Sequence, residues 1–260
     1  MKPFFRKALG LALVAACTAV WIVTTGMSAR NLRARTCQGK GSLDVTIADS
    51  LERQFVRRAD VAKWLEKEYR AYAGLPLDSV NLDQIEKLVC AHSVVRDAEA
   101  WLTDDGILHV TLNQRQPVVR FDDGSNGYYA DATGFVFPLQ SQGSADVPVV
   151  NGCIPMKIPR GFKGAPADAS EKAWLDKMIA LINTIKGTVW EHNIVKINVN
   201  AKGDLVMTPR RGQEQFIFGE PVRVQEKLGL MKAYYESVEP ACPGYHTVDL
   251  RYRGQLVCRK

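Results

Sequence analysis

The sequence lacks the short motifs that mark most catalytic and metal sites. It has no G-x-S-x-G, H-E-x-x-H or G-x-x-x-x-G-K-[ST] motif, and no C-x-x-C pair. None of its four histidines has a second histidine or cysteine at ligand spacing. The carboxylate pairs Asp104-Asp105 and Asp122-Asp123 each adjoin a glycine, which turn chemistry explains better than acid–base catalysis. These absences argue against an enzyme and against a structural zinc site.

Long basic runs and internal repeats are also absent. The net charge of +6 comes from scattered Lys and Arg residues, and aromatic residues do not alternate with them. This pattern does not favour nucleic acid as a partner, and a basic surface facing anionic lipid or wall polymer fits it as well. The 260 residues, with 46% hydrophobic and 24% charged residues, indicate one or two ordinary globular domains.

The amino-terminal segment is the first strong positive feature. A short basic stretch, residues 1–7, precedes residues 8–29, which carry no charge. As a helix this run is about 33 Å long, enough to cross a hydrocarbon core, and Trp21 lies near one end. A retained anchor with a cytoplasmic amino terminus is the favoured interpretation. A cleaved signal peptide is the alternative, with small residues Gly26 and Ser28 near the cleavage site.

The segment from 43 to 115 predicts a small domain with the order β-α-α-β-β, preceded by a linker at 30–42. Alternating apolar residues at its start predict a strand. Two segments with apolar residues at helical spacing follow, and the second begins at the N-cap residue Asn81. Asp105-Gly106 then marks a hairpin. The apolar face of the first predicted helix, which ends at Gly74, consists of Val61, Leu65, Tyr69 and Tyr72.

Residues 116–260 predict a larger, mixed or antiparallel β domain with two helices. Short apolar strands alternate with glycine-rich turns, and Asp131 is expected to bond the backbone of the turn toward Gly134. We expect Ser170 to cap the first helix and Pro221 to lie near the start of the second. The sheet-facing residues expected on the second helix are Val224, Leu228, Met231 and Tyr235.

The last residues, "VDLRYRGQLVCRK", predict two strands joined by a tight turn. In the final strand Leu256, Cys258 and Lys260 share one face, and Gln255, Val257 and Arg259 share the other. Basic residues protect an open edge from self-pairing, and they also attract an acidic partner segment. Cys242 and Cys258 could meet in an oxidising compartment, although most cysteines are expected to be small buried apolar residues.

The order of these segments resembles the FtsQ/DivIB family of bacterial cell-division proteins over nearly the whole chain. "FVRRADVAKWL" is similar to the start of the first helix of that family's POTRA module. "NLDQIEKLVCAHSVVRDAEAWLTDDGILHVTLNQRQPVVRF" is similar to its second helix, hairpin and entry into the β domain. "YYADATGFVFPL" resembles the family's D-x-x-G hairpin, and "VDLRYRGQLVCRK" resembles its terminal strands.

The resemblance implies a non-enzymatic divisome scaffold without a cofactor, linking early and late division proteins. It implies a single-pass protein of the cell inner membrane at the division septum, with periplasmic carboxy-terminal domains and a POTRA module that contributes to recruitment. It also implies that the FtsB–FtsL pair docks by β-strand addition at the terminal edge. The implied contact residues are Arg251, Tyr252, Arg253, Gly254, Gln255, Leu256 and Val257.

Two other classes of protein and one other role for Tyr252 remain open on the sequence. A POTRA-bearing protein of export or envelope assembly would carry repeated POTRA units and a long barrel, and neither pattern is visible. A secreted wall-modifying enzyme would need paired carboxylates or a nucleophile in a groove. Tyr252 itself is either a partner contact or an ordinary half-buried hairpin aromatic.

Overall fold

The fold was determined as a computed structural model. It describes residues 14–27, 36–37, 43–49, 55–69, 72–124, 126–141, 143–210 and 212–260. The chain divides into two compact units, with the boundary between Gln114 and Arg115. Both units combine helices with sheets, and sheets dominate, as the predicted α+β class requires.

Residues 14–27 form helix α1, whose side chains are all exposed. The predicted membrane segment 8–29 begins and ends outside these described residues, as do residues 1–7 and most of the predicted linker. Within the part of the chain that the structure describes, no helix is both long enough and apolar enough to span a membrane.

The first unit is built on a three-stranded sheet in the order β1-β3-β2. Its strands are β1 (Leu43–Ile47), β2 (Val95–Leu102) and β3 (Leu108–Gln114), with β1 parallel and β2 antiparallel to β3. Gly106, at φ 86°, makes the predicted hairpin turn and donates its N–H to the Thr103 carbonyl. Every second residue of β3 is buried, so these residues form the face of the strand that packs on the core.

Two helical segments complete this unit. The first begins as α2 (Arg58–Trp64) and continues as a π-helical segment, Leu65–Tyr69, so the expectation of one regular helix is only partly met. The second is α3 (Leu82–Cys90), where Asn81 Oδ1 accepts the Gln84 N–H at 3.0 Å, confirming the predicted N-cap. The same Asn81 donates its own N–H to the Tyr69 hydroxyl at 2.9 Å, which ties the two segments together.

Two residues of the predicted linker pack on the first unit. Cys37 is buried, donates its N–H to the Leu75 carbonyl and accepts the N–H of Gly74, both at 2.8 Å. Thr36 forms an isolated bridge with Pro76. The expectation that most cysteines are buried is wrong, because only Cys37 among the five after α1 is buried.

The described residues of the second unit form one mixed sheet of nine strands. Its order is β12-β11-β10-β9-β8-β7-β4-β5-β6. Three pairs are parallel, namely β4 with β7, β7 with β8 and β10 with β11, and the other pairs are antiparallel. The strands are β4 (Pro117–Asp122), β5 (Gly127–Asp131), β6 (Val136–Pro138), β7 (Val149–Gly152), β8 (Ile194–Val199), β9 (Leu205–Pro209), β10 (Gln215–Gly219), β11 (Thr247–Asp249) and β12 (Val257–Arg259).

The turn between β5 and β6 has the predicted carboxylate at its centre. Asp131 Oδ1 accepts N–H groups from Thr133 and Phe135, at 2.9 and 3.1 Å, and Gly134 follows at φ 81°. The other carboxylate oxygen binds Arg115 at 2.9 Å, and that guanidinium also lies 3.5 Å from the centre of the Phe135 ring. Asp131 therefore organises the turn by local backbone bonding, as expected.

The longest helix of this unit, α4 (Ala169–Ile185), has its N-cap two residues earlier than predicted. Its N-cap is Asp168, not Ser170, because Asp168 Oδ1 accepts the N–H groups of Ser170 and Glu171 at 2.8 and 3.0 Å. Hydrogen bonding from Ser170 and from the backbone lowers the pKa of Asp168. The predicted apolar face enters the core through Met178, Leu181, Ile182 and Ile185, with Trp174 partly buried against it.

The last long helix, α5 (Val224–Ala233), starts later than predicted. Pro221 lies before it, and Arg223 stands at the N-cap with a left-handed backbone at φ 52°. Leu228 and Met231 face the core as expected, but Tyr234 is more deeply buried than Tyr235. The helix continues through a π-helical segment, Tyr234–Val238, which rotates the face, and ends with the short α6 (Glu239–Ala241).

Candidate functional site

Strand β12 forms one edge of the nine-stranded sheet. Within the described residues it pairs with β11 alone, in a register that places Val248 opposite Cys258 and Asp249 opposite Val257. The far side of β12 therefore presents its backbone groups without a neighbouring strand. An edge of this kind is a template on which another extended segment can pair.

The side chains of the last residues follow the predicted alternation only in part. Leu256, Val257 and Cys258 are all partly buried, and Leu256 and Cys258 pack against the core, whereas Arg259 and Lys260 are exposed. The ladder begins only at Val257, so Gln255 belongs to the connection and not to the strand. The edge is thus short, and its solvent side is cationic.

The connection between β11 and β12 presents an exposed tyrosine. Tyr252 is 50% exposed, and its carbonyl accepts the Gln255 N–H at 3.4 Å across a turn. Gly254 makes that turn at φ 64°, a conformation that disfavours other residues. Arg253 and Gln255 are also exposed. The structure therefore brings Tyr252, Arg253, Gly254 and Gln255 together on one accessible turn.

Arg251 has a different environment from the other predicted contact residues. Its Nε and Nη2 donate to the two oxygens of Asp249 at 2.9 and 2.6 Å, and its Nη1 donates to Asp204 at 3.0 Å. The Asp249 side chain is 1% exposed, and hydrogen bonding from Arg251 lowers the pKa of this carboxyl. Arg251 is therefore engaged within the unit, where it fixes the turn to the strands beneath it.

The start of α5 holds the other side of this turn. Arg223 donates from Nη2 to the Arg251 carbonyl at 2.9 Å, and its Nη1 lies 3.1 Å from Glu226 Oε1. The same Glu226 oxygen accepts the Gly254 N–H at 2.8 Å. Val222, 46% exposed, precedes this cluster. Sequence reasoning missed Arg223 and Glu226, because nothing in the pattern signals a contact across 28 residues.

A buried lysine supports the base of the site. Lys227 Nζ donates to the carbonyls of Phe218 and Glu220, at 2.7 and 2.8 Å, and lies 4.7 Å from the Phe218 ring centre. Burial lowers the pKa of this ammonium group. Two carbonyls and a ring face compensate for its desolvation, so the β10–α5 connection is held in one conformation.

The pair Cys242 and Cys258, which the sequence places near each other, consists of free thiols in this structure. The Tyr245 hydroxyl donates to Cys242 Sγ at 3.3 Å. Among the described residues, no group of three or more His, Cys, Asp or Glu side chains is arranged to hold a metal ion.

Comparison with known families assigns the class. Residues 116–259 match the family described as FtsQ/DivIB, C-terminal related, and residues 36–113 match the POTRA-like domain. No curated protein matches the chain at a significant level. The class is thus a POTRA-like domain followed by a division-type β domain, both of them non-catalytic scaffold domains.

Because the first of these matches covers more than half of the sequence, the chain belongs to the FtsQ/DivIB family. Family membership indicates a scaffold role in cell division, with other division proteins as partners and the division site as the place of action. The edge strand β12 and its turn lie in the segment that carries the family match.

Proposed function

We propose that this protein is a divisome scaffold that docks the FtsB–FtsL pair by β-strand addition on β12. The single observation that supports the proposal most is the coincidence of an unpaired strand edge with an exposed tyrosine on the adjoining turn. Backbone hydrogen bonds along the edge would provide affinity, and the side chains around Tyr252 would provide selectivity.

Two kinds of residue contribute to this docking surface. Tyr252, Arg253 and Gln255 offer exposed side chains to the partner, and Val257 offers a partly buried one. Arg251 and Gly254 contribute by holding the turn, since their polar groups are engaged by Asp249, Asp204 and Glu226. Leu256 packs partly against the core and anchors the start of the strand.

The charge of the surface indicates the partner's chemistry. Arg253, Arg259 and Lys260 are exposed, while the charge of Arg251 is matched by two carboxylates. An acidic, extended segment complements this edge, and rim charges of this kind mainly raise the association rate and its salt dependence. The same cations repel a second copy of this edge.

The proposed topology follows the family. Residues 1–7 would be cytoplasmic, 8–29 would cross the inner membrane once, and 30–42 would link the span to a POTRA domain at 43–115. The β domain at 116–260 would then be periplasmic at the septum. In this arrangement the POTRA domain contributes to recruitment, and the protein connects early with late division proteins without catalysis.

Binding of the FtsB–FtsL pair to the full chain in detergent micelles tests the proposal. We expect Tyr252→Ala to weaken binding by about tenfold or more, because a truncated interface tyrosine anchor commonly costs that much. Trp101→Ala is the matched control, since Trp101 is a similarly exposed aromatic in the other unit. Equal affinity for Tyr252→Ala and wild type would remove the tyrosine from the site.

A further inference from the structure

Cys242 and Cys258 lie in two segments that the terminal part of the sheet brings together. Cys242 stands at the end of the short helix α6, and Cys258 is the middle residue of β12. Both are free thiols, and both are partly buried. The chain between them is held beside β12, because the His246 N–H donates to the Arg259 carbonyl at 2.9 Å. A bond between these cysteines would close a loop of residues that lie 16 apart in sequence.

The strand register fixes the side of the sheet on which the Cys258 side chain lies. Cys258 stands directly opposite Val248 of β11, and opposite side chains of an antiparallel pair point to the same face. Val248 is fully buried in the core, and Cys258 packs against that core. The Cys258 sulfur therefore lies on the inner face, where a bond to it leaves the open backbone edge of β12 free.

Tyr245 connects the two cysteine-bearing segments. Its hydroxyl donates to Cys242 Sγ at 3.3 Å, and its ring packs against the same core as Cys258. Lys260, two residues beyond Cys258, has its Nζ 5.7 Å from the centre of that ring. One tyrosine side chain thus contacts Cys242 through its hydroxyl and the β12 segment through its ring.

The titration of these groups supports the same proximity. Burial raises the pKa of the Cys258 thiol, and negative charge on Cys242 raises it further. The pKa of Tyr245 is raised first by its hydrogen bond to Cys242 and, to a smaller extent, by negative charge on Cys258. Each sulfur therefore lies within electrostatic range of the other and of one hydroxyl.

Cys153, the third cysteine of this unit, is not a competing partner for Cys258. It follows the end of β7, and strands β8, β9, β10 and β11 lie between β7 and β12. At about 4.8 Å per strand the separation is about 24 Å, whereas the Cα atoms of a disulfide lie about 4.4–6.8 Å apart. Within the second unit, Cys242 is the cysteine that can reach Cys258.

We propose that Cys242 and Cys258 form a disulfide that fastens β12 to the segment after α6 when the protein meets a disulfide-containing oxidant. The Cys242 thiolate attacks one sulfur of the oxidant, which gives a mixed disulfide and releases the first oxidant thiol. The Cys258 thiolate then attacks Cys242 Sγ and releases the second oxidant thiol. The two protein thiols lose two electrons and two protons in total, and the disulfide of the oxidant takes them up.

The order of the two steps follows from the charges. The raised pKa keeps Cys258 protonated at first, so Cys242 is the sulfur that attacks the oxidant. Once Cys242 is part of the mixed disulfide, it no longer carries the negative charge that helps to hold the Cys258 proton. Cys258 then ionises more readily and completes the bond.

The bond would stabilise a weakly supported strand. β12 has three residues and, among the described strands, pairs with β11 alone. Short segments with few contacts open most readily, and a cross-link at the middle residue limits this opening. In the cell the reaction rests on the proposed periplasmic position of the β domain, because disulfides persist in oxidising compartments.

Disulfide mapping of the folded full chain in detergent micelles tests the pair. The reduced protein is equilibrated without denaturant in oxidised and reduced glutathione, blocked with N-ethylmaleimide and digested with trypsin without reduction. Residues 233–251 and 254–259 are separate tryptic peptides, and mass spectrometry should find them joined. Cys153→Ser is the matched control and should give the same joined peptides.

Urea unfolding measures what the bond contributes. The oxidised protein should have a midpoint about 1 M or more above that of the reduced protein, because closing a loop of this length restricts the unfolded chain. The double variant Cys242→Ser with Cys258→Ser should have the same midpoint with and without oxidised glutathione. Binding of FtsB–FtsL is measured on the reduced protein, so the docking proposal is tested independently of this bond.

Three results would overturn the inference. One is recovery of Cys242 and Cys258 as maleimide or glutathione adducts, with no joined peptides. The second is a bond from Cys258 to a cysteine other than Cys242. The third is an equal urea midpoint for the cross-linked and the reduced protein, which would show that the bond does not fasten β12.

Discussion

Replacing Arg251 by methionine should destabilise the second unit and not merely remove a contact residue. The guanidinium makes three side-chain hydrogen bonds, two to Asp249 and one to Asp204. Without it, the Asp249 carboxylate, 1% exposed, keeps as its only hydrogen bond within the described residues the Arg251 backbone N–H at 3.1 Å. Breaking a buried ion pair costs about 3–5 kcal/mol. Because the Arg251 side chain is 38% exposed, solvent screens part of the ion-pair interaction. We therefore expect Arg251→Met to lower the free energy of unfolding by about 2–3 kcal/mol.

Urea unfolding of the full chain, followed by tryptophan fluorescence to which Trp174 and Trp190 of the second unit contribute, measures this loss. The midpoint of the second unit should fall by about 1–2 M, since a domain of this size loses about 1–3 kcal/mol of stability per molar urea. Arg251→Lys should retain only part of the stability that Arg251→Met loses, because an ammonium group cannot form the two parallel hydrogen bonds of a guanidinium group. The double variant Asp249→Asn with Arg251→Met should recover more, since it leaves no buried charge.

The pH dependence gives an independent check with a definite sign. Arg251 lowers the pKa of Asp249 in the folded state. The stability that the Asp249–Arg251 pair contributes is therefore fully present above the unfolded pKa of Asp249, about 3.9, and is lost as pH falls through the folded pKa. The difference in urea midpoint between wild type and Arg251→Met should be constant near neutral pH and should disappear in acid. An unchanged midpoint in Arg251→Met at neutral pH would refute the reasoning.

Three further variants test other parts of the fold by urea or alkaline unfolding. Asp168→Ala should destabilise by removing the cap of α4, and by more than Ser170→Ala does; the reverse order would contradict the assignment. Gly219→Ala should destabilise, because φ is 72° and its methyl would lie 2.7 Å from Arg251 Cγ, whereas Gly229→Ala, in open space in α5, should be neutral or stabilising. Burial raises the pKa of Tyr234 to about 12. The stability that the neutral phenol contributes is therefore fully present below the unfolded pKa of about 10 and is lost as pH rises through the folded pKa. Between these two pKa values, Tyr234→Phe should lose less stability with rising pH than wild type does.

Local patterns predicted much of the first unit and part of the side-chain arrangement of the last strand. Asn81 caps α3 and Gly106 turns the hairpin because both effects depend on neighbouring residues in sequence. Leu256 and Cys258 pack against the core as predicted, although Val257 between them is also partly buried and only Cys258 belongs to the strand. The cap of α4 was misplaced by two residues, because Asp168 and Ser170 are both suitable cap residues and only the backbone geometry distinguishes them.

Long-range partners could not be predicted in the same way. The contact of Arg251 with Asp204 joins residues 47 apart, and that of Gly254 with Glu226 joins residues 28 apart. The sheet order is equally non-local, since β7 lies between β4 and β8 and β11 lies parallel to β10. The sequence therefore indicated which residues would surround the terminal turn without showing that Arg251 holds it in place.

Hydrogen exchange at the terminal strand tests the central claim most directly. Amide exchange of residues 257–260 is measured by mass spectrometry in the full chain, with and without the FtsB–FtsL pair, in wild type and in Tyr252→Ala. Strand addition predicts that the pair slows exchange at 257–260 in wild type and much less in Tyr252→Ala, while exchange in β1–β3 is unchanged. Binding of the pair with no change in exchange at 257–260 would contradict docking on this edge.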